Sequence, residues 1–166
     1  MNAADAPVLI AYDGSAPSRR AVREAARLLA SKRMLVVTVW EPELAYVPMG
    51  MSAGPLDIPP APMVDPEVAR EVEQSLHERA EHVSRDGAEL ARSLGLEAEP
   101  LAVPDEGNVA GAILSVAEQR GVAAIVVGSR GLSGIRERLE GSTSKSVLKR
   151  AHCPVLVVHE PDEHHD

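Results

Sequence analysis

Three glycines and a run of hydroxyls mark where this chain can do chemistry. Gly128 and Gly131 are separated by two residues, Gly131 and Gly141 by nine, and Ser142, Thr143 and Ser144 follow directly. Glycine lets the main chain take positive φ and lets a ligand approach the backbone closely. The hydroxyls stand where an apolar helical pattern begins, through Val147, Leu148 and Ala151. The first N–H groups of a helix have no intrahelical partner, and the helix dipole favours negative charge at that end. Backbone donors, hydroxyl donors and a positive helix end together suit a phosphate. The arrangement differs from a P-loop: Lys145 and Ser146 follow Gly141, but no glycine precedes Lys145, and no G-x-G-x-x-G occurs.

The elements around this stretch have to position it. Ile125-Val126-Val127 before Gly128, and Val155-Leu156-Val157-Val158 after Pro154, have the length and β-branched content of buried strands. Towards the N-terminus, Val8-Leu9-Ile10-Ala11 reads as a first strand, and Tyr12-Asp13-Gly14-Ser15 turns the chain. Ser15 suits an N-cap and Pro17 a first helical turn. The helix is expected to reach about Ser31, with Ala21, Val22, Ala25, Leu28 and Leu29 facing inward. Leu35–Val39 is the second strand, completing a βαβ unit with Trp40 at its end. Glu67–Leu94 is a long amphipathic helix, with Gly95 as its C-terminal signal. Glu97–Val103 is a weaker third strand, and Pro100 marks it as an edge. Asn108 caps a helix from Val109 to Arg120, which Gly121 ends. Five strands alternating with four helices predict one doubly wound parallel sheet over residues 1–166.

The segment Gly128-x2-Gly131-x9-Gly141-Ser142, set between two buried-strand patterns, resembles the nucleotide-binding pattern of the universal stress protein family in every fixed position. Ala11-Tyr12-Asp13-Gly14-Ser15 is similar to the family's first strand end, although proline often stands where this chain has Ala11 and valine where it has Tyr12. The resemblance covers nearly the whole chain. It implies strand order 3-2-1-4-5 with helices on both faces, and an ATP site. In that site Gly128, Gly131 and Gly141 admit the triphosphate to the backbone. Ser142 and Thr143 bond phosphate oxygens, and Ser144 adds a further hydroxyl at the same end. Ala11, Asp13 and the main chain at Val39 hold the nucleoside, and Arg130 screens charge. Mg²⁺ or Mn²⁺ bridges phosphates without a dedicated protein cage. The resemblance further implies a regulatory, stress-response role and a homodimer formed through the last strand. A slow ATP hydrolase, or a dimerising interaction protein with a vestigial site, are the alternatives. No residue is placed as a catalytic base.

Composition narrows the partners. The chain has 166 residues, no Phe, one Trp, two Tyr and a net charge of −8. The core must therefore be aliphatic. So few aromatics argue against stacking platforms for single strands, and the charge disfavours nucleic acid and anionic membranes. No basic segment followed by a long apolar run opens the sequence, so no secretory leader is expected, and no stretch has the apolar length of a membrane span. Cys153 is the single cysteine, compatible with a reducing cytoplasm, and reads as a small hydrophobe.

Two features stay open at this level, and two others have a plain expectation. Residues 41–66 are rich in Pro, Gly and Met and are expected as a loop, either a lid over the base or a mobile insertion. Trp40 stands at the root of that loop, either beside the base or as a core tryptophan. The acidic tail, 160–166, is expected to be disordered, its histidines solvated. His77-Glu-Arg-Ala-Glu-His82 looks like a zinc-binding H-E-x-x-H, but the second histidine comes one residue late. Five positions turn it about 140° around the helix. Both are expected as surface histidines.

Overall fold

The computed structural model describes residues 6–29, 33–42, 65–105, 107–129 and 143–159. In chain order these form β1 (Val8–Ala11), α1 (Ala16–Leu28), β2 (Arg33–Trp40), α2 (Pro66–Ser93), β3 (Glu97–Pro104), α3 (Val109–Arg120), β4 (Ala124–Gly128), α4 (Thr143–Arg150) and β5 (Val155–Val158). The strands make one sheet of order β3-β2-β1-β4-β5, and every pairing is parallel. The strand order implied by the family resemblance is the observed one.

Helices cover both faces, so the strands are apolar on both sides. Val8, Ile10, Met34, Val36 and Val126 pack with α1 and α2 through Ala21, Val22, Ala25, Ala88 and Ala91. Leu9, Leu35, Val37, Ile125 and Val127 pack with α3 and α4 through Ala110, Ile113, Val116, Ala117 and Val147. Small alanines on the helices let them sit close to branched strand residues, which is how a core without Phe fills its volume.

The caps agree with the sequence. Ser15 accepts from the Ser18 amide through its side chain, and Pro17 lies in the first turn of α1. Asn108 accepts from the Gly111 amide at 2.7 Å. Gly121 ends α3 in the left-handed region, at φ 55°. Most boundaries fall within a residue or two of expectation, and three of the differences have a local reason or a larger shift. α1 stops at Leu28 rather than near Ser31. β2 extends to Arg33 and Trp40 because β3 pairs with it along its full length. α2 begins at Pro66, one residue inside the expected loop, because Asp65 caps it with a 2.9 Å bond to the Glu67 amide.

Candidate functional site

In a parallel sheet every strand ends at the same edge. Here the chain winds outward from β1 to β2 and β3, then returns to β4 on the other side of β1. Ligands of open α/β sheets bind at the carboxyl edge where the strand order reverses, which is between β1 and β4.

The end of β1 is held by its neighbour. The Tyr12 amide donates to the Val37 carbonyl, and the Thr38 hydroxyl donates to the Tyr12 carbonyl, both at 2.8 Å. Asp13 follows, half-buried, and its Oδ1 accepts from the Ser15 amide at 2.9 Å. This turn, with Gly14 at φ 79°, starts α1 and fixes the Asp13 carboxylate at the switch point. On the other side, Gly128 ends β4 and is buried. A Cβ there would lie 3.2 Å from the Pro17 side chain and 3.3 Å from its carbonyl carbon. Gly128 therefore lets the first turn of α1 close against β4, and the Ser129 amide donates to the Val158 carbonyl at 2.8 Å.

Two of the three expected nucleoside residues share a layer. Ala11 and Val39 both pack on the α3/α4 face of the sheet. Thr143 and Ser144 open α4 in that same layer, where Val147 is fully buried. Arg130, Gly131, Gly141 and Ser142 lie outside the described residues, as do the tail and the Pro/Met-rich segment 43–64.

Two residues next to the expected site face away from it. Tyr12 is 2 % exposed and packs on the α1/α2 face. Its ring fills a notch at Gly87, in the middle of α2, where a Cβ would approach to 2.7 Å. Its hydroxyl is buried and has no hydrogen-bond partner among the described residues. Burial raises the phenol above its ordinary value, an effect Arg19 opposes and Asp86 and Asp13 reinforce. Sequence reasoning missed Gly87; the signal was a glycine inside a strong helical pattern, which usually marks a close approach. Trp40 also turns toward α2, its ring 5.4 Å from that of His77. His77 is thus more than a surface histidine: the end of β2 gives it an aromatic partner, while Glu81 lies 3.4 Å from its Nε2. His82 faces Asp86 instead, at 3.7 Å, so the two imidazoles diverge. Cys153 packs at the margin of the α3/α4 core, and burial raises its thiol above the ordinary value.

Comparison with known proteins covers almost the entire chain. The Universal stress protein family matches residues 6–159. Universal stress protein YxiE of Bacillus subtilis is 31 % identical over 91 % of this chain and 97 % of its own length. A universal stress protein of Thermus aquaticus is 33 % identical over 91 % of this chain and 96 % of its own. Among solved structures, a universal stress protein in complex with cAMP superposes with a TM-score of 0.62 at 23 % identity, covering 93 % of this chain and 97 % of the other. A family protein of Arabidopsis thaliana with AMP bound gives 0.59 at 19 % identity, covering 95 % and 93 %. At these identities the structures testify to the fold.

Proposed function

The chain belongs to the universal stress protein family, and from that membership we propose that it is an ATP-binding regulatory protein acting in a stress response. The observation that supports this most is the pairing of β1 with β4, which sets Asp13 and Gly128 on either side of the switch point. Ala11 and Val39 offer an apolar surface on the α3/α4 side for the adenine, and the Val39 main chain offers polar groups to the base. Asp13 accepts from the ribose hydroxyls. The triphosphate runs toward the start of α4, where Thr143 and Ser144 present hydroxyls and the helix dipole is positive. Gly131, Gly141, Ser142 and Arg130 complete the phosphate contacts, and Mg²⁺ or Mn²⁺ bridges the phosphate oxygens. Family structures solved with cAMP and with AMP make an adenine nucleotide the natural ligand class; the run of phosphate donors favours the triphosphate.

The sheet leaves β5 at an edge. Val155, Leu156 and Val157 are only half-buried there, and an apolar edge strand invites pairing. The proposed protein is therefore a cytoplasmic homodimer joined along β5. Sedimentation that finds only monomer at micromolar concentration rejects that assembly.

The nucleotide reading is tested by releasing bound nucleotide from denatured, purified protein and by calorimetric titration with ATP. Gly131→Val abolishes binding without unfolding the chain, because a β-branched side chain fills the phosphate approach. Ser142→Ala weakens binding by about 1–3 kcal/mol if its hydroxyl meets a charged oxygen. Unchanged affinity in both variants puts the site elsewhere.

A further inference from the structure

The chain carries a net charge of −8, yet α1 is basic. Arg19, Arg20, Arg23 and Arg27 stand on it against Glu24 alone. At about 100° per residue, Arg19, Arg23 and Arg27 form a ladder one turn apart, and Arg20 falls beside it. All four lie within an arc of about 100°, turned away from the helix's buried face. Arg27 is held by Glu24 at 2.7 Å. Among the described residues no carboxylate is within ion-pair distance of Arg19, Arg20 or Arg23. Arg19 Nε donates to the Gly14 carbonyl at 3.2 Å, while Arg20 Nε is buried with no acceptor among the described residues.

This arrangement works against the helix that carries it. The N-terminal end of a helix favours acidic residues, and α1 has none in its first turn. Arg19 with Arg23, and Arg20 with Arg23, are like charges at spacings where side chains meet. Glutamate at any of these positions would relieve the like-charge repulsion. Charge that weakens its own helix and has no counter-charge within ion-pair distance among the described residues, Glu24 beside Arg27 aside, suits a counter-charge brought by a partner.

We propose that the outer face of α1 is a docking surface for an acidic segment of a partner protein. Guanidinium groups take carboxylates bidentately, and the fork is matched to that planar group. Arginines one turn apart are spaced roughly 6 Å along the axis. Alternate residues of an extended peptide are spaced roughly 6.6 Å. An extended segment with Asp or Glu at every second position therefore runs along the Arg19, Arg23 and Arg27 ladder in register, with Arg20 beside it. A long polyanion is disfavoured because the remaining surface of this acidic protein repels it. A short segment feels mainly the charges within a Debye length, roughly 10 Å at 0.1 M salt. The surface lies on the α1/α2 side of the sheet, whereas Ala11 and Val39 lie on the other, so docking and nucleotide binding are separable.

The test uses the full chain and a fluorescein-labelled nine-residue peptide alternating Glu with Ser, followed by anisotropy. Arg19→Gln/Arg23→Gln keeps the side-chain stems at exposed positions and removes the charge. Its melting temperature is measured alongside, to show that it folds. The expected result is binding that weakens with salt and falls roughly tenfold or more in the double variant. Arg85→Gln, an exposed arginine paired with Glu81 on α2, leaves it unchanged. The proposal is overturned if the folded double variant binds the peptide as well as the parent does. It is equally overturned if a single-stranded oligonucleotide binds as tightly through the same arginines, or if the double variant loses ATP affinity in parallel with peptide affinity.

Discussion

Replacing Gly87 by alanine sets two physical effects against each other. In a helix interior, Gly→Ala is favourable by up to about 1 kcal/mol. Against this, the new Cβ would sit 2.7 and 2.9 Å from two Tyr12 ring carbons and 2.8 Å from Val36 Cγ1, well inside the 3.5–4.0 Å optimum for carbon contacts. Neither neighbour can yield cheaply. Tyr12 is 2 % exposed and anchored by both its main-chain bonds to β2, and Val36 is fully buried in the middle of that strand. Relief must come from moving α2 outward. Overpacking of this kind costs about 1–3 kcal/mol or more, so the net expectation is a loss of about 1–2 kcal/mol. For a domain of this size that lowers Tm by roughly 2–8 °C. Thermal unfolding of Gly87→Ala, Tyr12→Val and the double variant provides the assay. Tyr12→Val removes the ring from the notch, so Gly87→Ala costs less in that background, with a coupling of about 1 kcal/mol. A rise in Tm for Gly87→Ala, or the same effect in both backgrounds, refutes the notch.

Other outcomes follow from single groups. Tyr12→Phe removes a buried hydroxyl with no partner among the described residues and stabilises the fold by on the order of 1 kcal/mol at neutral pH. Because the folded phenol titrates above the ordinary 10.0, the folded state holds its proton where the unfolded state releases it. Stability is therefore complete below about pH 10 and is lost as pH rises through the folded value, and the alkaline loss is smaller in Tyr12→Phe; denaturant midpoints on either side of pH 10 measure it. Asn108→Ala leaves the Gly111 amide without its 2.7 Å acceptor and costs about 1 kcal/mol by the same measurement. ATP at a hundredfold excess over its dissociation constant stabilises by about 2.7 kcal/mol. AMP at matched concentration stabilises less, and equal Tm shifts argue against the glycine segment as the main contact.

The fold was legible in sequence for a physical reason. Strands buried on both faces read as continuous apolar runs, and Val8–Ala11, Leu35–Val39, Ile125–Val127 and Val155–Val158 all have that form. Caps are local, so Ser15, Asn108 and Gly121 could be read from single residues. Strand order is not local; it came from the family pattern, since periodicity cannot distinguish one parallel order from another. The same limit hid the partners of Tyr12, Gly87, Trp40 and His77. Each contact joins residues about forty to seventy-five positions apart in the chain, and no short-range rule connects them.

Those hidden contacts share a consequence for the candidate site. Ala11 and Tyr12 are adjacent in sequence, but successive residues of a strand point to opposite faces. Ala11 therefore borders the α3/α4 layer, where the nucleoside is proposed, while Tyr12 fastens α2 through Gly87. Val39 and Trp40 divide in the same way, with Trp40 meeting His77 of α2. A large residue at position 12 thus does not crowd the proposed adenine surface; it reaches that surface only through the backbone, by the Val37 and Thr38 bonds that hold the end of β1. The backbone route also separates the two faces energetically. Tyr12→Val should alter stability by loosening α2, while ATP affinity, which in the proposed site rests on Asp13 and the main chain held by β2, should stay within a fewfold of the parent. A large loss of affinity in a variant that remains folded would show that the α1/α2 side shapes the nucleotide site after all, and that the division at the strand end is not the working principle of this sheet.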